Sequence, residues 1–296
     1  MSRLPLLCCV STVGCLVACA SQPAPIVTPP PAKSNLHQPE DDEAANSGPE
    51  SADVAVRAAL ESSAGAVSPN GRFLLAVRFD IPKGYRVSWI NPGDMGREPI
   101  VEFSAPESFE VSPPMFPGPK RFELPNGTVS YGYDHDTAVF VEVRTPGQLS
   151  QGEFYRFDVN ATWFSCKKQC TKESVEAYFE LEASSEPVEQ GLPQPLQAAW
   201  ESVPKPLESF EAAKAEWRSE GVLVVHADGM KWKDFFPGSA QPPNLRKLSV
   251  DNTTNDLVLE FDGSATGGLV EGVALADVDG RLAYVSISAP WPTQTN

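Results

Sequence analysis

Beyond its first nineteen residues the chain is poor in cysteine: of six in all, only Cys166 and Cys170 lie outside that stretch. One close thiol pair in an exported chain is either held by a small disulfide or works by making and breaking it. Histidine is scarcer still, with His37, His135 and His226 the full set. A closed tetrahedral zinc site wants four ligands and has few candidates here. His37 falls in a proline-rich stretch, His135 reads as a turn residue beside Asp134 and Asp136, and His226 ends an apolar strand. Positive charge is also short, 23 Lys plus Arg against 39 Asp plus Glu for a net charge of −16. No basic stripe interrupts that field, so it repels nucleic acid and anionic surfaces. There is no phosphate-binding glycine loop before a helix, no hydrolase nucleophile elbow and no metalloprotease helix motif.

What is present begins with a short positive start, Met1-Ser2-Arg3, and an apolar stretch from Leu4 to Val17. That stretch is too short to span a bilayer as a helix, which makes residues 1–18 a processed signal. Leu16-Val17-Ala18-Cys19 resembles a bacterial lipobox. The resemblance implies cleavage before Cys19 and lipidation of that cysteine. Ala20 follows instead of the aspartate that marks inner-membrane retention, so outer-membrane attachment facing the periplasm is the expectation. The alternative is an ordinary secretory signal cut near Ala20. Residues 19–60 read as a tether, with Pro23, Pro25, Pro29, Pro30, Pro31, Pro39 and Pro49, the acidic run Glu40-Asp41-Asp42-Glu43 and no means of building a core.

The rest divides into two β-rich units, expected over 61–186 and 187–296. Arg72 to Phe79, Tyr85 to Trp89, Ala138 to Val143, Tyr155 to Trp163 and Val175 to Leu181 are rich in β-branched and aromatic residues, and several alternate polar with apolar. Pro82-Lys83-Gly84, Pro117-Gly118-Pro119, Pro125-Asn126-Gly127 and Pro146-Gly147 punctuate them. That pattern predicts an antiparallel sandwich. In the second unit Leu207 to Trp217 reads as one helix, since Phe210, Ala213 and Trp217 recur at three and four residues. Strands are expected at Gly221 to His226, Leu245 to Val250, Leu257 to Phe261, Leu269 to Ala276 and Leu282 to Ser288.

Cys166 and Cys170 cannot pair across an extended chain, where residues four apart stand about 13 Å apart at Cα, beyond the roughly 7 Å reach of a disulfide. A helical turn or a tight hairpin is required. Lys167 and Lys168 place positive charge between the thiols, which favours a thiolate. Three roles stay open: redox exchange, a structural disulfide, and metal binding. Two thiolates suit copper(I), with Met95 or Met115 as a further soft ligand and Cys166, Cys170 and Met115 as the candidate set.

Tyr85-Arg86-Val87-Ser88-Trp89-Ile90-Asn91-Pro92-Gly93-Asp94-Met95-Gly96, then Pro117 to Phe122, Val129 to Tyr133 and the Trp163 to Cys170 run together resemble the N-terminal periplasmic region of the DsbD protein-disulfide reductase family. The likeness is to its copper-sensitivity-suppressor, ScsB-like branch. It is strong from Gly71 to Ala183 and fainter through Phe235-Phe236-Pro237 and Tyr284 to Pro290. It implies an immunoglobulin-like antiparallel β-sandwich followed by a second β-rich module with one helix. It also implies exchange at Cys166 and Cys170 with a periplasmic thioredoxin-like or membrane redox protein, with no cofactor required. The chain ends at Asn296 without the family's multi-helix and thioredoxin-like domains, so the expectation is that it receives electrons from a partner, exchanges directly with another protein, or has kept the domain as an envelope interaction module without exchange activity. Whether the pair reacts, and hence whether the protein is an enzyme, is left open by the residues.

The resemblance also places a covering loop over the pair. Met115 to Asn126 reads as long and irregular, with Phe116 or Phe122 as the cover and core packing as the alternative. Tyr131 and Tyr133 share a strand face and could border the site, as could Trp163. Ser165 reads as an ordinary exposed or turn serine, the alternative being that its hydroxyl gives a thiolate of the pair one hydrogen bond. Asn91-Pro92-Gly93-Asp94 reads as a tight turn with Gly93 available for positive φ.

Overall fold

The computed structural model describes residues 56–189, 191–238, 245–262 and 268–292. The signal, Cys19, His37 and nearly all of the expected tether lie outside the described residues. Ordered strand structure opens at Arg57, inside the stretch assigned to the tether. Among the described residues no helix is long and apolar enough to cross a membrane.

The first module is an immunoglobulin-like antiparallel sandwich. One sheet runs Cys170–Glu182, Phe154–Cys166, Arg86–Gly93, Val129–Tyr133, Lys120–Glu123, with Ile100–Ser104 also paired to the Phe154–Cys166 strand. The facing sheet runs Arg57–Ser62, Arg72–Asp80, Thr137–Arg144, Glu110–Val111. Alternation sets the faces: Val77, Phe79 and Val139 meet Trp89, Val159 and Trp163 in the core between the sheets. Phe79 and Trp163 pack edge to face at 5.1 Å.

Thr137–Arg144 departs from alternation, burying Ala138, Val139, Phe140 and Val141 in succession. Its outer face is covered too. A helix at Gln194–Glu201 lays Leu196 and Ala199 against Ala76, Ala138 and Phe140, and Trp200 stacks on Phe140 at 5.2 Å.

That helix corrects the reading of the second unit. Leu207 to Trp217 is not helical: Leu207–Ser209 is a single 3-10 turn and Lys214–Ser219 is a strand. Ala212 adopts φ 50°, which no helix accommodates, and the odd positions Ala213, Ala215 and Trp217 pack on the core with strand parity. The helix forms instead among the prolines, because Pro195 sits in the first turn, where a missing amide costs nothing.

The second module has two four-stranded sheets, ordered Lys205–Pro206, Arg281–Pro290, Leu269–Val278, Met230–Pro237 and Lys214–Ser219, Val222–His226, Leu257–Phe261, Leu245–Val250. Leu223, Val225, Leu257 and Leu259 from one sheet meet Phe235, Ala274, Val285 and Ile287 from the other.

The two modules share apolar contacts. Phe236 and Val273 of the second join the core cluster of the first. Phe236 meets Trp89 at 6.3 Å and Tyr131 at 5.7 Å. Asn91 Nδ2 donates to the Pro237 carbonyl at 2.9 Å, and the Tyr284 hydroxyl donates to the Pro119 carbonyl at 3.3 Å.

Candidate functional site

The longest strand pair positions the cysteines. Phe154–Cys166 and Cys170–Glu182 pair residue for residue from Phe154 opposite Glu182 to Cys166 opposite Cys170, leaving Lys167, Lys168 and Gln169 as the loop. A hairpin is therefore how the spacing closes. The two residues face each other with Cα atoms 4.0 Å apart and are joined by a disulfide.

The base of this hairpin is held firmly. Ala161, Trp163 and Val175 are buried, and a fully buried large side chain contributes about 1.5–3 kcal/mol. Glu173 adds a polar tie, accepting from Trp163 Nε1 at 2.8 Å and from the Ser165 hydroxyl at 2.7 Å. Ser165 is thus neither exposed nor aimed at sulfur: it is 2% exposed and spent on Glu173. The tip is different, with Cys166 half-buried and Lys167 to Cys170 exposed.

The disulfide opens onto a cleft of about 210 Å³ lined by Arg86, Met95, Phe122, Leu124 and Tyr131 together with the 166–170 tip. Arg86 lies opposite Cys166 in the strand register, and its guanidinium sits 4.1 Å from the centre of the Phe122 ring. Phe122 is held there by a ladder. Lys120–Glu123 pairs with Val129–Tyr133, Phe122 opposite Ser130, so the segment expected to be irregular is a strand hairpin at this end.

The other candidates separate cleanly. Phe116 packs against the sandwich core and does not line the cleft. Tyr131 borders the cleft while its ring lies against Phe236, and burial pushes its phenol upward. Tyr133 is buried, donates to the Pro117 carbonyl at 2.7 Å and is likewise pushed well up by burial. Trp163 is in the core. Met115 is not beside the cysteines: it bridges Phe140 and packs by the helix, and the methionine in the cleft is Met95, 47% exposed. Gly93 takes φ 74°, with its amide donating to Asn91 Oδ1 at 3.0 Å. But Asn91 to Gly93 belong to the Arg86–Gly93 strand, whose register shifts between Ser88 and Gly93, so the expected tight turn is an irregularity of that strand. His135 is exposed and bonded to Asp134.

Residues 54–181 match the family model for the N-terminal region of the thiol:disulfide interchange protein DsbD. The matched segment contains both cysteines, the cleft and the Phe122 strand. No curated protein matches the chain. Among solved structures, the N-terminal periplasmic domain of ScsB from Proteus mirabilis is similar in fold, with a TM-score of 0.52 and 18% identity over 79% of this chain and 92% of that one. The alignment therefore extends past the DsbD-like segment into the second module. The periplasmic chaperone SfaE aligns at 15% identity over 78% of this chain and 98% of that one, with a TM-score of 0.20.

Sequence reasoning missed two features. Arg121, one residue before Phe122, points from the opposite face of the strand to Asp234, donating to its carboxylate at 2.9 and 2.6 Å. His226 lies between Asp256 at 2.6 Å and Asp228 at 3.2 Å. Neither partnership leaves a local signature, since 113 and 30 residues separate Arg121 from Asp234 and His226 from Asp256.

Proposed function

We propose that the protein is a periplasm-facing thiol-disulfide exchange module that passes electrons through Cys166 and Cys170 to or from a partner dithiol protein. The observation that carries this is the position of the disulfide, at an exposed hairpin tip over a cleft, within the segment that matches the DsbD N-terminal family. Mechanical stapling accounts poorly for such a bond. In the chain-entropy picture a loop of about five residues yields about 2 kcal/mol, against about 4.7 for a loop of 100, and here the hairpin ladder already orders the residues it joins.

The chemistry balances within the two proteins. A partner thiolate attacks one sulfur of the Cys166–Cys170 bond, a mixed disulfide forms, and the other sulfur leaves as a thiolate. The partner's second thiolate then attacks the mixed disulfide, leaving the partner oxidised and the Cys166/Cys170 pair reduced. Two electrons have moved, and solvent protons settle on the thiolates according to pH. The reverse sequence reduces the partner. Lys167 and Lys168 favour the thiolate form that leaves or attacks. A thioredoxin-like or membrane redox protein of the periplasm is the expected partner, and lipidation at Cys19 would tether the module to the outer membrane.

Single-cysteine variants test this. Cys166→Ala or Cys170→Ala leaves one thiol, and a thioredoxin-like protein activated with a thiol-specific leaving group should be captured by at least one variant as a mixed disulfide. Failure of both, with fold intact, removes the exchange role.

Copper(I) binding is favoured as a second reading by Met95, which lines the same cleft as Cys166 and Cys170 and would add a soft donor to the two sulfurs once the disulfide is reduced.

A further inference from the structure

The charge around the disulfide is opposite to that of the molecule. The chain carries 39 Asp plus Glu and 23 Lys plus Arg. Yet the charged residues lining the sulfur cleft are Arg86, Lys167 and Lys168, and among the described residues no carboxylate lines it. Lys83 lines, with Arg86, the groove beside the cleft, which also carries Asp134 and Asp136. The acids around the cleft make hydrogen bonds of their own, and Asp136 in that groove accepts from the Ile81 amide at 2.7 Å. Glu173 faces inward to Trp163 and Ser165. Asp134 is held by Lys120 at 2.7 Å and His135 at 3.0 Å. Asp94 accepts from the Val129 amide at 2.8 Å, outside the cleft lining.

The cations are also placed, with Arg86 on the Phe122 ring at 4.1 Å and the Lys167 ammonium 5.1 Å from the centre of the Tyr85 ring. The same cleft has apolar lining from Phe122, Leu124 and the exposed Met95.

We infer that the docking partner is a protein whose exchanging cysteine lies in a carboxylate-bearing face with an apolar centre. This rests on the exchange reading above and names the partner's chemistry. The physical argument is one of range. At physiological salt, charges more than about 8 Å apart are largely screened, so the acidic bulk of the molecule counts for little at contact and the local cations dominate. Away from the cleft acids outnumber bases over the chain as a whole, so contacts there disfavour an anionic face on average. An acidic partner is therefore steered to the sulfurs and away from unproductive encounters. A cationic partner would be drawn to the wrong surfaces and repelled at the right one.

The test uses three capped pentapeptides, each with a central cysteine flanked by four glutamates, four lysines or four serines. Each rate of attack on the oxidised protein is divided by that peptide's rate with a small neutral disulfide, which removes differences in thiol reactivity. The glutamate peptide should exceed the serine peptide by about threefold or more at low salt, the lysine peptide should fall below it, and the spread should collapse in 0.5 M salt. In the Lys167→Gln, Lys168→Gln double variant the glutamate-to-lysine ratio should move towards one. Equal normalised rates, or a preference for the lysine peptide, would overturn the inference while leaving exchange standing. A disulfide that none of the peptides and no neutral thiol can open would overturn both.

Discussion

Arg121 and Asp234 join the strand that carries Phe122, a lining residue of the sulfur cleft, to the second module: two guanidinium nitrogens donate to the carboxylate at 2.9 and 2.6 Å, and a third bond reaches the Phe235 carbonyl at 3.1 Å. Both side chains are about three-quarters shielded, with 27% and 22% exposure. Because Phe122 is the next residue, on the opposite face of the same strand, the second module ties the strand down from behind this cleft-lining ring.

Asp234→Ala should therefore loosen Phe122. Loss of charged hydrogen bonds in this setting costs about 1.5–3 kcal/mol. The rate at which dithiothreitol opens the Cys166–Cys170 bond should rise several-fold. The same change made in a Phe122→Ala background should add little, because the ring it positions is already gone. An equal acceleration in both backgrounds would show that Asp234 acts by some other route.

Phe122→Ala and Phe116→Ala should behave differently. The first should speed attack by small reductants with little loss of fold, since Phe122 lies over the cleft. Phe116 packs on the core, so its truncation should lower stability by about 2 kcal/mol or more and leave the reduction rate of the folded protein near its starting value. Chemical denaturation and stopped-flow reduction measure the two effects separately.

Gly118 tests the union of the modules. A Cβ there would overlap the Tyr284 ring. Gly118→Ala should cost about 1–3 kcal/mol of stability as overpacking at the junction. Tyr284→Ala in the same chain should relieve part of that cost, which would appear as non-additivity in a double-mutant cycle.

His226 makes the second module sensitive to pH. Its hydrogen bond to Asp256 is the main cause holding its pKa above the ordinary histidine value; burial opposes this, and the bond to Asp228 adds a smaller upward push. A raised folded-state pKa means stabilisation that is complete below the unfolded value of about 6.5 and is lost as pH rises through the folded value. Melting temperature should therefore fall between pH 6 and 8, and His226→Gln should flatten that slope.

Much of the fold was legible because burial on one face writes a period of two. Tyr155 to Trp163 and Leu257 to Phe261 show it directly, and both are strands. Leu207 to Trp217 misled because positions 210, 213 and 217 fit a helix while 213, 215 and 217 fit a strand, and only the backbone reversal at Ala212 decides between them. The cysteine pair was visible from its isolation. Its surroundings were less so: both Phe116 and Phe122 lie in the covering segment, but the register of the Lys120–Glu123 ladder selects Phe122. Met95 and Met115 were equally plausible neighbours by composition, and tertiary packing alone separates them.

The central claim is that Cys166 and Cys170 cycle between disulfide and dithiol in the folded protein. Equilibrating the folded domain across a series of glutathione and dithiothreitol buffers, then counting free thiols by alkylation, measures this directly. The account predicts a two-electron transition within the range of those buffers, with the fold retained on both sides. A pair that stays oxidised in every buffer, or that opens only when the sandwich unfolds, would contradict it.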